Sequence, residues 1–190
     1  MSIKQKILVF LIENREKSFS MYGLSKKLAI DYKLIYINIR KLQDEGTINV
    51  EDLGSQKRCS FRNSFNKDVY AAEDERRNAL FTQKNFRAIH DKLKVINRQF
   101  ILLLFGSHIK AAATKASDID LLLVSRLEDS KLIEEKLGIL PLKIHLTAIL
   151  YESFIQSLKT KELTVVSEAQ KKCVVLFGIE DYYRLLENAK

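Results

Sequence analysis

The chain has 190 residues, 46% of them hydrophobic, and carries a formal net charge of +8 with two Cys, one Pro and no Trp. That length and apolar content support a substantial core, as one domain or two small ones. No apolar run approaches the roughly 20 residues of a membrane span, and Cys59 and Cys173 are too few and too far apart in sequence for a disulfide framework or a cysteine zinc module. The opening MSIKQKILVFLIENREKS lacks a small-residue cleavage site, so the expectation is a soluble cytoplasmic protein with reduced thiols and no membrane partner.

The charge is unevenly spread. Residues 1–66 hold 12 Lys/Arg against 7 Asp/Glu, residues 67–97 hold 7 against 5, and residues 98–190 hold 13 against 12. The basic excess sits in the N-terminal third, as expected if that part faces phosphates. Small basic domains also exist without any nucleic-acid role.

In chain order, residues 2–14 place Ile3, Ile7, Phe10 and Leu11 at helical spacing. Ser20 is placed to cap a second helix, Met21 to Leu28, with Leu24 and Leu28 one turn apart. Asp31 caps a third, running to about Glu45 and stopped by Gly46, with Ile35, Ile39 and Leu42 as its buried stripe. Lys33, Tyr36, Ile37, Arg40 and Lys41 then fall on its exposed side. Thr47 to Glu51 and Lys57 to Arg62 alternate as strands about a Leu53-Gly54-Ser55 turn.

Three short helices followed by a strand pair, with YKLIYINIRKLQDEG as the third helix, resemble a winged helix-turn-helix domain. The resemblance implies double-stranded DNA as partner, with the third helix in the major groove and the wing on the backbone. Lys33, Tyr36, Arg40 and Lys41, with Lys57 and Arg58 on the wing, would make the contacts. Winged helices also serve as protein-docking or dimerisation modules, and an exposed basic face is also simply solvated.

Asn63 to Lys67 is a short polar join. Val69 to Phe81 and Gln83 to Ile96 are rich in helix formers, with Ala72, Leu80, Phe86, Ile89, Leu93 and Ile96 as candidate buried positions of a connector suited to self-association as a homodimer. His90 within it reads as an ordinary helical residue.

Phe100 to Phe105 is an apolar run too short for an ordinary helix and bounded by Gly106, so it reads as a buried strand; Ile119 to Val124 reads the same way. The polar interval between them holds only one helix. Gly106 frees the backbone to bring N–H groups to a phosphate, and Ser107 sits where a helix start would bind an anion. Asp118 and Asp120, two residues apart on a strand, point to one face. Two carboxylates beside a phosphate cradle suit a Mg²⁺-nucleotide site, because a hard cation takes oxygen ligands and keeps substrate phosphates in its shell.

Gly106-Ser107, nine residues, then Ser117-Asp118-Ile119-Asp120 resembles the Gly-Ser…Asp-x-Asp signature of the DNA polymerase beta-like nucleotidyltransferases, in particular their minimal, kanamycin-nucleotidyltransferase-like members. The resemblance implies that Gly106, Ser107, Lys110 and Ser117 bind nucleotide, and that Asp118 and Asp120 are catalytic ligands of Mg²⁺ (or Mn²⁺) with NTP as substrate or ligand. Ala111 stands where the family commonly has a second Gly. The third family carboxylate, from a following strand, has no counterpart in Leu142-Lys143-Ile144-His145-Leu146-Thr147: Lys143 or His145 occupies the place, and neither replaces a carboxylate as a Mg²⁺ ligand.

Beyond that strand pair, Glu128 to Leu137 reads as a helix with Leu132, Ile133 and Leu137 inward, stopped by Gly138, and Pro141 opens the third strand. Tyr151 to Leu158 and Glu162 to Lys172 read as helices, Cys173 to Phe177 as a short strand, and the tail after Gly178 as an amphipathic helix. The ending CVVLFGIEDYYRLL also looks like small archaeal-type nucleotidyltransferases fused to winged helices.

The expected architecture is therefore α+β: a winged helix-turn-helix domain over 1–66, a helical connector over 67–97, and a nucleotidyltransferase-like α/β domain with a small mixed sheet over 98–190. Two functions follow from the resemblances. One is a Mg²⁺-dependent nucleotidyltransferase moving an NMP from NTP to a hydroxyl acceptor, which includes a toxin-like partner protein. The other is a DNA-binding transcriptional regulator whose nucleotide-binding domain has lost turnover with the third carboxylate. A further alternative makes His145 a general base in place of that acid.

Overall fold

The computed structural model describes residues 1–54, 56–109, 117–160 and 164–189. The chain is a mixed α+β protein with one three-stranded and one four-stranded sheet. It divides into two compact units, Met1–Glu73 and Asp74–Lys190.

In the first unit, α1 (Ile3–Glu13), α2 (Met21–Leu28) and α3 (Tyr32–Asp44) precede a hairpin of β2 (Ile48–Asp52) and β3 (Lys57–Phe61). Ser20 Oγ accepts from Gly23 N at 3.0 Å, and Asp31 Oδ1 accepts from Lys33 N at 2.9 Å, so both predicted caps start their helices. Gly46, at φ +68°, leaves α3 in the left-handed region as a helix stop requires. Ile35, Ile39 and Leu42 are fully buried, each such side chain contributing roughly 1.5–3 kcal/mol of burial free energy.

The helix expected from the spacing of Ile3, Ile7, Phe10 and Leu11 is α1; its buried positions are Ile7, Leu8, Leu11 and Ile12, whereas Ile3 and Phe10 are half-exposed, because an apolar face this broad fits several stripes and packing selects one. The sequence also gave no sign of β1 (Phe19–Ser20), which pairs antiparallel with β3, Phe19 opposite Cys59. A two-residue strand has no periodicity to detect and exists through its partner.

α4 (Lys67–Phe81) contains the boundary between the units. In the second unit α5 (Lys84–Leu93) is followed by β4 (Ile101–Phe105), β5 (Ile119–Ser125), α6 (Leu127–Gly138), β6 (Ile144–Leu150), α7 (Tyr151–Lys159), α8 (Val165–Lys171), β7 (Val174–Phe177) and α9 (Ile179–Asn188). The sheet order is β6-β5-β4-β7; β4 runs antiparallel to β5 and β7, and β5 runs parallel to β6. Phe86, Ile89 and Leu93 of α5, with Ile133 and Leu137 of α6, pack with Leu102, Leu104, Leu121 and Leu123 in one core. Ile101, Leu103, Leu122 and Val124 are fully buried as well, and α7, α8 and α9 contact these strands. Coverage of both faces is why β4 and β5 read as unbroken apolar runs rather than alternating ones.

Boundaries shift where context outweighs local signal. β6 begins at Ile144, so Pro141 lies ahead of the strand instead of opening it, and Gly138 is the last residue of α6 rather than the residue after it. Of the interval between β4 and β5, the described part after β4 is a single 3₁₀ turn, Gly106–His108; residues 110–116, Ser55 of the hairpin turn, and the predicted α8 start at Glu162 lie outside the described residues.

Candidate functional site

The end of β4 and the start of β5 meet in register: Phe105 pairs with Asp120. The chain turns at Gly106 with φ +77°, a conformation only glycine adopts without strain. A Cβ there would fall 2.2 Å from Asp120 Oδ2 and 3.0 Å from its Cγ. The residue is glycine, then, because the Asp120 carboxylate lies directly over its Cα. This is a second requirement besides the phosphate approach that its place in the motif suggests.

β6 lies beside β5, and the partner of Asp120 on it is His145. The imidazole Nδ1 of His145 donates to Asp120 Oδ1 across 3.3 Å. Of the two residues considered for the position of the missing acid, His145 is thus the one beside Asp120. Lys143 instead offers its backbone carbonyl to Ile119 N at 2.8 Å, holding the two strands together. The His145 side chain is 68% exposed and that of Asp120 27%. Asp118, immediately before β5, is exposed.

One contributor was missed in the sequence. His108 Nε2 lies 3.3 Å from the carbonyl of Ser117, and its ring packs edge-on against Phe86 at 5.7 Å. It ties the turn that leaves β4 to the residue ahead of Asp118. A lone His in a polar interval carries no signal for this, since its partner is a backbone oxygen. Lys110 and Ala111 lie outside the described residues.

Among the described residues no group of three His, Cys, Asp or Glu is close enough to hold a metal ion. The donor chemistry fits a single Mg²⁺ entering with a nucleotide, which takes one or two carboxylates and fills its shell with phosphate oxygens and water. The group beside Asp120 on β6 is the His145 imidazole, which adds no oxygen ligand.

In the first unit, Lys33, Tyr36, Arg40 and Lys41 on α3 and Lys57 and Arg58 on β3 are all exposed. Arg40 donates to Gln43 at 3.3 Å, Lys57 pairs with Asp52 at 3.5 Å, and Arg58 donates to Ser18 Oγ at 3.4 Å. Solvent-exposed links of this kind are weak and readily exchanged. The structure brings two of the six together: Tyr36 and Lys57 line one cavity of about 420 Å³ with Ser20, Met21, Tyr22, Tyr32, Gly54 and Gln56.

Among the described residues, no helix is long and apolar enough to cross a membrane. The chain matches no protein-family model, no curated protein and no solved structure.

Proposed function

We propose that residues 98–190 form a nucleotidyltransferase-like domain that moves an NMP from NTP to a hydroxyl acceptor, and that residues 1–66 form a winged helix that binds double-stranded DNA. The supporting observation is the juxtaposition at one end of the sheet of the Gly106-Ser107 turn, the Asp120 carboxylate seated over Gly106, and the β6 position that pairs with Asp120.

In this reading the backbone at Gly106-Ser107 cradles the triphosphate, and Asp118 and Asp120 would hold Mg²⁺, which when bound neutralises phosphate charge. The acceptor oxygen bonds to the α-phosphorus, the bond from that phosphorus to the bridging oxygen breaks, and pyrophosphate leaves with the electron pair. Gly106 keeps Asp120 in place; the proton of the acceptor goes to solvent or to a base.

A second reading has an observation of its own. His145 occupies the place beside Asp120 that the resemblance assigns to a third carboxylate. An imidazole cannot bridge two hard cations, so a nucleotide-binding regulator without turnover also accounts for the site.

The test is transfer from α-labelled NTPs, with Mg²⁺ or Mn²⁺, to the protein itself, to DNA and RNA, and to cell extract. Label transfer that disappears in Asp118→Asn identifies an enzyme and its acceptor. Nucleotide binding with no transfer under any condition selects the regulator. For the N-terminal unit, the triple change of Lys33, Arg40 and Arg58 to Ala should weaken duplex binding and flatten its salt dependence, the sign of fewer released counterions.

A further inference from the structure

Three tyrosines of the first unit converge on one cavity, and two of them, Tyr22 and Tyr32, are not among the duplex contacts that the winged-helix resemblance implies. Tyr22 at the start of α2, and Tyr32 and Tyr36 on the first turns of α3, are 63%, 50% and 42% exposed, yet all three line the same cavity. Its other walls include Ser20, Gln56 and Lys57, so hydrogen-bonding groups and one cation accompany the rings. Lys26 Nζ stands 5.4 Å above the Tyr22 ring, so a second positive charge lies beside one of the three rings. A volume of about 420 Å³ lies in the range of small-ligand pockets.

Aromatic walls with polar groups and cations around them suit a flat, π-faced ligand attached to a phosphate. A nucleobase is such a ligand, but in an intact duplex its faces are covered by neighbouring base pairs and only its edges are open to a protein. Stacking on tyrosine requires an unpaired base, and such stacking platforms in basic grooves are how single strands are held. The charge is complementary: residues 1–66 carry the largest basic excess of the chain.

We propose that this cavity binds an unpaired nucleobase, so that the N-terminal unit prefers single-stranded or locally opened nucleic acid to a closed duplex. The inference rests on the reading of α3 and the β2–β3 hairpin as a nucleic-acid face, and replaces groove reading at this spot by base stacking.

The experiment uses the full chain and three fluorescein-labelled DNAs of one sequence: the single strand, the fully paired duplex, and the duplex with a central unpaired bulge. The expected result is tighter binding of the single strand and the bulge than of the closed duplex. Tyr22→Ala and Tyr32→Ala should each weaken the first two by roughly tenfold, the loss typical of one stacked base, and leave the closed duplex nearly unchanged, and Tyr36→Ala should weaken the first two by as much. Tyr36→Trp should retain binding, since it keeps a stacking surface. Circular dichroism of each variant separates loss of a contact from loss of fold. Tyrosine variants that bind all three DNAs as the wild type does, while the Lys33, Arg40 and Arg58 variant loses the duplex, overturn the inference and leave duplex recognition standing. Failure of every DNA to bind overturns both.

Discussion

Asp120 and His145 are register partners on the parallel strands β5 and β6, and their side chains are joined by a 3.3 Å hydrogen bond. The bond engages one carboxylate oxygen of Asp120. With a second carboxylate in place of His145, the two would repel unless a divalent ion lay between them. His145→Asp is therefore expected to lower the melting temperature by a few degrees in EDTA and to regain it in Mg²⁺ with NTP. Thermal melts in the two buffers check this. If Mg²⁺ shifts the variant no more than the wild type, positions 120 and 145 do not face a common cation site.

Gly106→Ala should cost about 2 kcal/mol of stability from its positive φ alone, with more from the Cβ that would press on Asp120. Combining it with Asp120→Ala removes the clash but not the backbone strain. A double-mutant cycle in urea should then give a favourable coupling between the two changes. Strict additivity would mean that the carboxylate does not lie over the glycine.

Arg15 and Glu73 form an ion pair at 3.4 Å with side chains 3% and 0% exposed, and Arg15 Nε also donates to the Ile12 carbonyl. Removing one takes an opposite charge away from the other in a buried setting. Glu73→Ala is expected to destabilise the protein by about 3–5 kcal/mol, whereas exposed pairs such as Lys57 with Asp52 should cost under about 1 kcal/mol when broken. Chemical denaturation of the two variants compares them directly.

His90 gives stability a pH dependence. Its ring lies 4.4 Å from that of Phe81 and 5.6 Å from that of Phe177. Desolvation there lowers its pKa; Lys94 and Arg77 act in the same direction, and Asp91 opposes them. Between the lowered folded value and the ordinary value of about 6.5, the unfolded chain binds the proton more readily. His90 therefore makes no pH-dependent contribution above that ordinary value, and stability falls as pH drops through it. His90→Phe should flatten the slope of unfolding free energy against pH below about 6.5; an unchanged slope would place its origin elsewhere.

Burial pushes the Cys59 thiol up to about 11, and Cys173 is fully buried with its Sγ 3.5 Å from the Tyr182 hydroxyl. Since the thiolate is the reactive form, neither should take up a thiol reagent in the native protein at neutral pH. Both should do so in urea, with a rate that follows unfolding. Rapid native labelling of either would contradict the packing around it.

Residue chemistry alone determined much of this protein. Ser20 and Asp31 start their helices because a side-chain oxygen satisfies an end N–H locally. Ile35, Ile39 and Leu42 are buried because one helical face is apolar, and β4 and β5 read as strands because both their faces are. The Gly106-Ser107 turn and Asp120 were singled out by spacing, since residue type and separation are local properties. What sequence could not supply is everything that depends on a partner distant along the chain. The Phe19–Ser20 strand exists only against Cys59 and Arg58. His108 acts through a backbone carbonyl. The choice between Lys143 and His145 was decided by strand register, where a shift of one residue exchanges the faces. The shared cavity of Tyr22, Tyr32 and Tyr36 required α2, α3 and the hairpin to be folded together, because separation along the chain says nothing of which exposed rings converge.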